Sequence, residues 1–347
     1  EVQKVLAAVD WFDQKRVQSP ESKVPSPKIG VAGYAEGGLI AFYSAALDPR
    51  IAATLVSGYF DSRQRVWEEP IYRNVFGLLH EFGDAEIATL IAPRGLVVEH
   101  SEAPSIAGPP LPRDGRRGAA PGKLGTLDFL SVEAEFNRAQ SLLQPGATGF
   151  ARMDLISGTE GGATGPGSER ALSAFLKQLV LPTNQITPSG QIPVDRRPGY
   201  DAAERQQRQV KQLKDCTQRL MRESERARAN FFWNTITAKT RQDWAAAGKL
   251  HRTSFQEEVI DRFTNPVLPA SPRSRKLRES PKWTMHEIVL DVFRDVFAWG
   301  YLLVPKDLKP GERRHVVVCQ HGLEGVPESV VNEDPQSQDF KYYKAFA

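Results

Sequence analysis

At 347 residues, with 40% hydrophobic and 25% charged side chains, the chain has the composition of an ordinary globular protein and the length for two domains, or for one with an extension. Its formal charge of +3 is too small for this length to indicate nucleic acid or a membrane surface as partner, and no run approaches the ~18 apolar residues that span a bilayer. Cys216 and Cys319 are the only cysteines, which supports neither a disulfide framework nor a metal cluster, and no cofactor is expected.

Val2, Val5, Leu6, Val9 and Phe12 recur at helical spacing and predict an opening amphipathic helix that ends near Gln14. The chain starts on Glu1 without a methionine and stops inside a second helical pattern at 340–347. A piece of a longer protein is therefore expected, with its compartment open and export included. The Ser/Pro-rich stretch 19–27 cannot continue the helix. A strand over 28–32 then runs into Gly33-Tyr34-Ala35-Glu36-Gly37-Gly38 and a helix to about Leu47. This is the pattern of a nucleophile elbow, in which small residues two before and two after the central position let a strand turn sharply into a helix. Gly33 and Gly37 hold those places, and the centre is Ala35, which carries no heteroatom.

The continuous apolar run 51–57 predicts a strand covered on both faces. A short helix over 84–91 leads through Ala92-Pro93-Arg94 into a strand at 95–99, followed by a Pro/Gly/Arg-rich loop at about 103–125. A helix capped by Ser131 carries Val132, Phe136, Ala139 and Leu143. A strand at 151–156 and a helix with Leu172, Phe175, Leu176 and Leu179 complete the series. Repeated strand-helix units imply a mostly parallel sheet with helices on both faces.

From 183 to 282 the character changes. Pro182, Pro188, Pro193 and Pro198 mark a linker, and a long polar helix at 201–232 carries the narrow stripe Val210, Leu213, Leu220 and Met221. Its eight Lys/Arg against five Asp/Glu over 201–230 read as a solvated face, not a nucleic-acid surface. Phe231, Phe232, Trp233 and Trp244 are expected to anchor this region to a core. Pro266, Pro269, Pro272 and Pro281 mark a second linker. Beyond it, 287–293 and 296–305 predict an antiparallel hairpin closed by Arg294-Asp295. A buried strand at 314–320 then ends in His321-Gly322-Leu323-Glu324-Gly325.

On these motifs, residues 28–182 resemble the C-terminal half of an α/β-hydrolase of the dienelactone hydrolase and acetyl xylan esterase branch, and 283–347 resemble the start of another such domain. The resemblance implies an α/β-hydrolase fold in tandem. Residues 1–182 would be a first domain and 183–282 a proline-rich linker with a long helix. Residues 283–347 would be the first strands of a second domain, in contact with the first. The rival arrangement is a circularly permuted single domain with both halves in one sheet.

The family's chemistry needs a serine, a histidine, an orienting carboxylate and two oxyanion N–H groups. By resemblance the nucleophile position is Ala35, the acid is Glu102 with Glu99 as second choice, and one oxyanion donor is the Glu36 backbone. Gly322 and Leu323 would serve as oxyanion donors in the second domain, with His321 as a structural flank. The histidine should fall in loop 157–167, but no histidine occurs between His100 and His251. His100 reads as structural, Ser101 as a loop residue and Ser168 as a helix cap. The glycines of 158–167 lack the lysine of a P-loop and the G-x-G-x-x-G spacing of a dinucleotide site. The implied function is a carboxylic-ester hydrolase, acting on a small ester or acylated carbohydrate, whose first domain is a pseudo-hydrolase. The alternative is a non-catalytic ligand- or partner-binding module on the same scaffold.

Overall fold

The computed structural model describes residues 1–17, 28–75, 77–108, 121–143, 152–181, 194–260, 262–263, 265–323 and 325–347. The proline-rich stretch 19–27, residues 183–193 of the linker, the tip of the 103–125 loop and Glu324 lie outside these residues. The chain divides into two compact units, 1–208 and 209–347.

In the first unit the elements follow as α1 (Val2–Val17), β1 (Ile29–Tyr34), α2 (Glu36–Leu47), β2 (Ile51–Ser57), α3 (Leu78–Glu81), α4 (Asp84–Ile91) and β3 (Gly95–Glu99). After them come the short pair β4 (Ile106–Ala107) and β5 (Lys123–Leu124), then α5 (Phe129–Leu142), β6 (Arg152–Ile156) and α6 (Glu169–Gln178). The sheet is parallel in the order β1-β2-β3-β6, so each crossover steps one strand in the same direction. Crossovers of one hand then place their helices on one face. That face is packed by Phe42 and Ala45 of α2, Ile87 and Ile91 of α4, and Val132 and Phe136 of α5, against Val56, Leu96 and Val98. Leu55 and Val97, paired in register, point the other way onto Ala171, Leu172 and Phe175 of α6. With both faces covered, β2 and β3 are apolar and buried along almost their whole length, as parallel strands are.

Local chemistry sets the helix starts. The Asp128 carboxylate accepts from the Ser131 N–H at 3.1 Å and Ser168 Oγ from the Ala171 N–H at 3.3 Å, which caps α5 and α6. The cap of α5 is therefore Asp128 and not Ser131, because a capping oxygen must sit before the orphan N–H groups. Ser131 instead donates its hydroxyl to Asp61. The opening helix runs three residues past Gln14, and Phe12 stands 56% exposed although it shares the face of buried Val9.

Helix α7 (Ala202–Arg228) runs through the division between the units. In the second unit a π-turn (Ala229–Trp233), α8 (Arg241–Ser254), β7 (Arg273–Glu279), β8 (Trp283–Phe293), β9 (Val296–Pro305) and α9 (Gln338–Tyr343) follow. The hairpin β8–β9 forms with its turn at Arg294-Asp295. The second linker, however, contains a strand. β7 pairs antiparallel with β8, and its ladder carries the cross-strand ion pairs Arg273–Asp291 (2.6 Å) and Arg275–Glu287. Every residue of β7 is exposed, so no apolar alternation marks it in the sequence. A small core of Met285, Val330 and Val331 packs against Trp283, Tyr301 and Leu303.

Two further expectations are corrected. Residues 314–320 form no strand, and Val316, Val317 and Val318 are 80, 80 and 88% exposed. An apolar β-branched run becomes a strand only when another strand takes its N–H and C=O groups, and among the described residues none does. Phe231, Trp233 and Trp244 join no buried cluster and remain 59, 63 and 47% exposed. Among the described residues the first unit's sheet has the order β1-β2-β3-β6 and the second unit's the order β7-β8-β9.

Amide hydrogen exchange tests the first correction. The amides of 316–318 should exchange at near-unprotected rates while those of 96–98 are protected. Val317→Asp should change stability by less than ~0.5 kcal/mol, whereas Val97→Asp should cost more than about 3 kcal/mol.

Candidate functional site

The C-terminal ends of β1, β2 and β3 meet at one edge of the first unit's sheet. β1 ends at Tyr34 and α2 starts at Glu36, so a single residue, Ala35, makes the whole turn, with φ 50° and ψ −114°. A non-glycine residue held in such a conformation costs about 1–3 kcal/mol and persists only where its surroundings enforce it. The Ala35 N–H donates to the Ser57 carbonyl at 2.9 Å, and its own carbonyl accepts from the Leu39 N–H at 3.1 Å. The turn is thereby tied to β2 on one side and to the first helical turn on the other. Gly33 is required by space, since a Cβ there would lie 1.9 Å from the Gly37 carbonyl oxygen. The second tight glycine is Gly38, whose Cβ would come 3.0 Å from the Ser57 carbonyl, while a Cβ at Gly37 would meet nothing within 4 Å.

Glu36 follows immediately, its N–H in the first turn of α2 where the resemblance puts an oxyanion donor. Its carboxylate accepts from Tyr72 Oη at 2.9 Å and pairs with Arg73 at 2.7 Å. Burial, and then this hydrogen bond to a carboxylate, push the Tyr72 hydroxyl upward. Arg73 is buried and also pairs with Glu69 at 3.3 Å. Glu69 in turn meets buried Arg63 at 3.2 Å, and Arg63 donates to the Tyr59 carbonyl at 2.6 Å. Nothing in the spacing of these residues announces the network, which joins the end of β2 to the loop after it.

The two candidate acids part company. Glu99, the last residue of β3, is 1% exposed, and its oxygens take four hydrogen bonds. Oε2 accepts from Ser57 Oγ (2.6 Å) and Gly167 N (2.8 Å), and Oε1 from Thr164 Oγ1 (3.1 Å) and Ser168 N (2.8 Å). Burial pushes this carboxyl up, but the donors from Ser168, Ser57 and Gly167 together outweigh it and hold Glu99 below the usual glutamate value. The single proton of Ser57 goes to Glu99, so Ser101 Oγ, 2.8 Å away, donates to Ser57. Ser101 is 1% exposed and lies inside this hydroxyl chain. Glu102 is exposed, and its carboxylate has no partner among the described residues, though its N–H bonds the Thr164 carbonyl at 2.9 Å.

His100 is buried. Its Nε2 lies 2.9 Å from the Leu127 carbonyl, and its ring packs 5.3 Å from that of Phe129. The loop 157–167 turns on a Gly158 N–H to Gly162 carbonyl bond of 2.6 Å, and Thr164 is zipped onto the 100–102 segment. Ser168 caps α6 and at the same time holds Glu99 through its N–H.

In the second unit the Gly322 N–H already donates to Tyr343 Oη at 2.9 Å, and Leu323 is exposed. His321 Nδ1 lies 2.7 Å from the Gly322 carbonyl. Among the described residues no group of His, Cys, Asp and Glu could hold a metal ion, and no helix is long and apolar enough to cross a membrane.

No family model matches the chain, and a search of curated proteins finds no relative. Among solved structures it is similar to a carbohydrate esterase family 15 glucuronoyl esterase from Caldicellulosiruptor kristjansonii. The identity is 15% and the TM-score 0.32, over 57% of this chain and 54% of that one. The chain thus spans about half the length of that protein.

Two sets of variants test this geometry. Ala35→Gly should raise stability by roughly 1 kcal/mol, reversing the usual sign of that exchange, because glycine relieves the positive φ. Gly33→Ala should cost more than about 3 kcal/mol and Gly37→Ala nothing; urea unfolding measures all three. Glu99→Gln should cost about 3 kcal/mol near neutral pH, since an amide cannot accept from all four donors. The native Glu99 carboxyl titrates below its ordinary 4.5, so its contribution is complete above that value and is lost as pH falls through the native one. As pH falls below the ordinary glutamate value and through the native one, the parent chain should therefore lose more stability than the variant.

Proposed function

We propose that the first unit is an α/β-hydrolase-type domain of esterase character that binds an acylated ligand without cleaving it. One observation carries the reading: Ala35 keeps the strained strand-to-helix geometry of an elbow although its side chain can neither attack a carbonyl nor give up a proton. Strain of this kind collects at active sites, and a turn with no chemical task would be relieved by glycine. The saturated Glu99 supports the same reading, because a carboxylate with four donors has no lone pair left to orient an imidazole. The open space over Gly37, beside the first N–H groups of α2, suits the acyl oxygen of a small ester or acetylated carbohydrate. We extend the proposal to 283–347 as the opening hairpin of a second such domain, on the strength of β8–β9 alone.

A partner-binding role is the second reading. It is favoured by Trp67, Ile71 and Tyr72, which are 66, 65 and 64% exposed, Tyr72 being hydrogen-bonded to Glu36.

Hydrolysis of 4-nitrophenyl acetate separates enzyme from non-enzyme. Neither the chain nor its Ala35→Ser variant should exceed the buffer rate, because losing triad members costs on the order of 10⁴ to 10⁶ in turnover. Appreciable turnover by the variant would show that a base is in place and would end the non-catalytic reading. Acetylated xylo-oligosaccharide should raise the melting temperature of the chain. No shift at millimolar ligand favours the partner role.

A further inference from the structure

Far along the chain from the elbow, in the second unit, the face of α8 that carries Trp244, Gly248, His251 and Arg252 continues into Phe255 and Val259. With Phe231, Phe232 and Ile236 it encloses a cleft of about 350 Å³. That volume lies in the range of small-molecule sites, which combine a mostly apolar lining with a few polar groups. The positions 244, 248, 251, 252, 255 and 259 form one helical stripe, so a single face of the helix supplies most of the wall.

Two features of the wall are unusual. Gly248 sits in the middle of α8, where glycine costs about 1 kcal/mol relative to alanine. It is buried, and the missing side chain makes room for the guanidinium of Arg252, since a Cβ at 248 would lie 2.9 Å from Arg252 Nη1 and 3.6 Å from Cζ. Arg252 donates to the Ala245 carbonyl, and among the described residues it meets no carboxylate. A permanently charged, planar group therefore lines the aromatic cleft at an exposed position, with no carboxylate beside it among the described residues. No Asp or Glu lines the cleft.

The second feature is His251. Its Nε2 is 3.1 Å from Thr235 Oγ1, and its ring packs 4.7 Å from Phe232 and 5.0 Å from Phe231. The Thr235 hydroxyl has one proton and two backbone carbonyls in reach, those of Phe231 (3.2 Å) and Phe232 (2.8 Å). The proton goes to a carbonyl, so Nε2 donates to Thr235 and Nδ1 carries the lone pair. Nδ1 is buried and has no hydrogen-bond partner. The cleft thus carries an exposed guanidinium with no carboxylate partner among the described residues, beside several aromatic rings, and a histidine whose Nδ1 is free to accept from a donor.

We propose that this cleft is a binding site for a small planar aromatic carboxylate. The ring would stack among Phe231, Phe232, Trp244 and Phe255, and the carboxylate would pair with Arg252, whose flat fork matches it in geometry. The site is independent of the elbow and of the function assigned to it.

Isothermal titration of the whole chain with 2-naphthoate tests the site, with 2-naphthalenemethanol as the neutral counterpart of the same shape. Naphthoate should bind with a Kd below about 1 mM, and the alcohol at least tenfold more weakly. Arg252→Gln, at an exposed position that leaves the helix intact, should weaken naphthoate at least tenfold and leave the alcohol unchanged. Gly248→Leu should fill the floor and abolish binding while circular dichroism shows undiminished helix. The proposal is overturned by equal affinity for acid and alcohol, by unchanged binding in Arg252→Gln, by binding that survives Gly248→Leu, or by no heat from naphthoate at millimolar concentration.

Discussion

A buried negative charge organises the edge of the sheet where the candidate site lies. Glu99 ends a strand with 1% exposure, and an ionised carboxylate at that depth is tolerable only if each oxygen is fully hydrogen-bonded. Meeting that demand draws in Ser57 from the end of β2, Thr164 from the loop after β6, and the N–H groups of Gly167 and Ser168 that open α6. Two strand ends, one loop and one helix are thus positioned by one side chain. The same demand helps hold loop 157–167 against residues 100–102.

The elbow depends on this edge being rigid. Ala35 is held at a positive φ by the hydrogen bond from its N–H to Ser57, one residue away from the Glu99 clamp. Ser57 therefore serves both, its backbone carbonyl fixing the turn and its hydroxyl satisfying the carboxylate. On the helix side, Glu36 is tied through Arg73 and Glu69 to Arg63, so the first turn of α2 cannot swing away. Burial outweighs Arg63 at the neighbouring Asp84 and pushes its carboxyl upward, a mark of how little water reaches this part of the core. The outcome is a preorganised turn with no nucleophile at its centre.

The second unit follows a different logic. Its sheet is held partly by cross-strand ion pairs on an exposed edge strand, and its helical part surrounds a cleft in place of a core. Charge on the edge strand β7 discourages further pairing, while the unpaired 314–320 run is exposed because nothing supplies its ladder.

Periodicity and glycine chemistry made much of the first unit legible in the sequence alone. The continuous apolar run 51–57 read as a strand covered on both faces and 95–99 as a strand, as both are, and Gly33 two before Ala35 marked the turn where the folded chain leaves no room for a side chain. Apolar pattern and steric exclusion act within a few residues and so survive in the sequence. What depends on neighbours far along the chain did not. Glu99 and Glu102 are three residues apart with the same side chain, and only packing decided that one is clamped by donors up to 69 positions away and the other faces solvent. Only pairing made a strand of charged Arg273–Glu279 and withheld one from Val316–Val318, since a strand is defined by its partner's hydrogen bonds and not by its own residues. The sequence by itself determined the turn at Ala35 and its lack of a nucleophile. The tertiary structure alone decided which carboxylate, which serines and which aromatic rings stand together, because burial and partnership are properties of the folded chain.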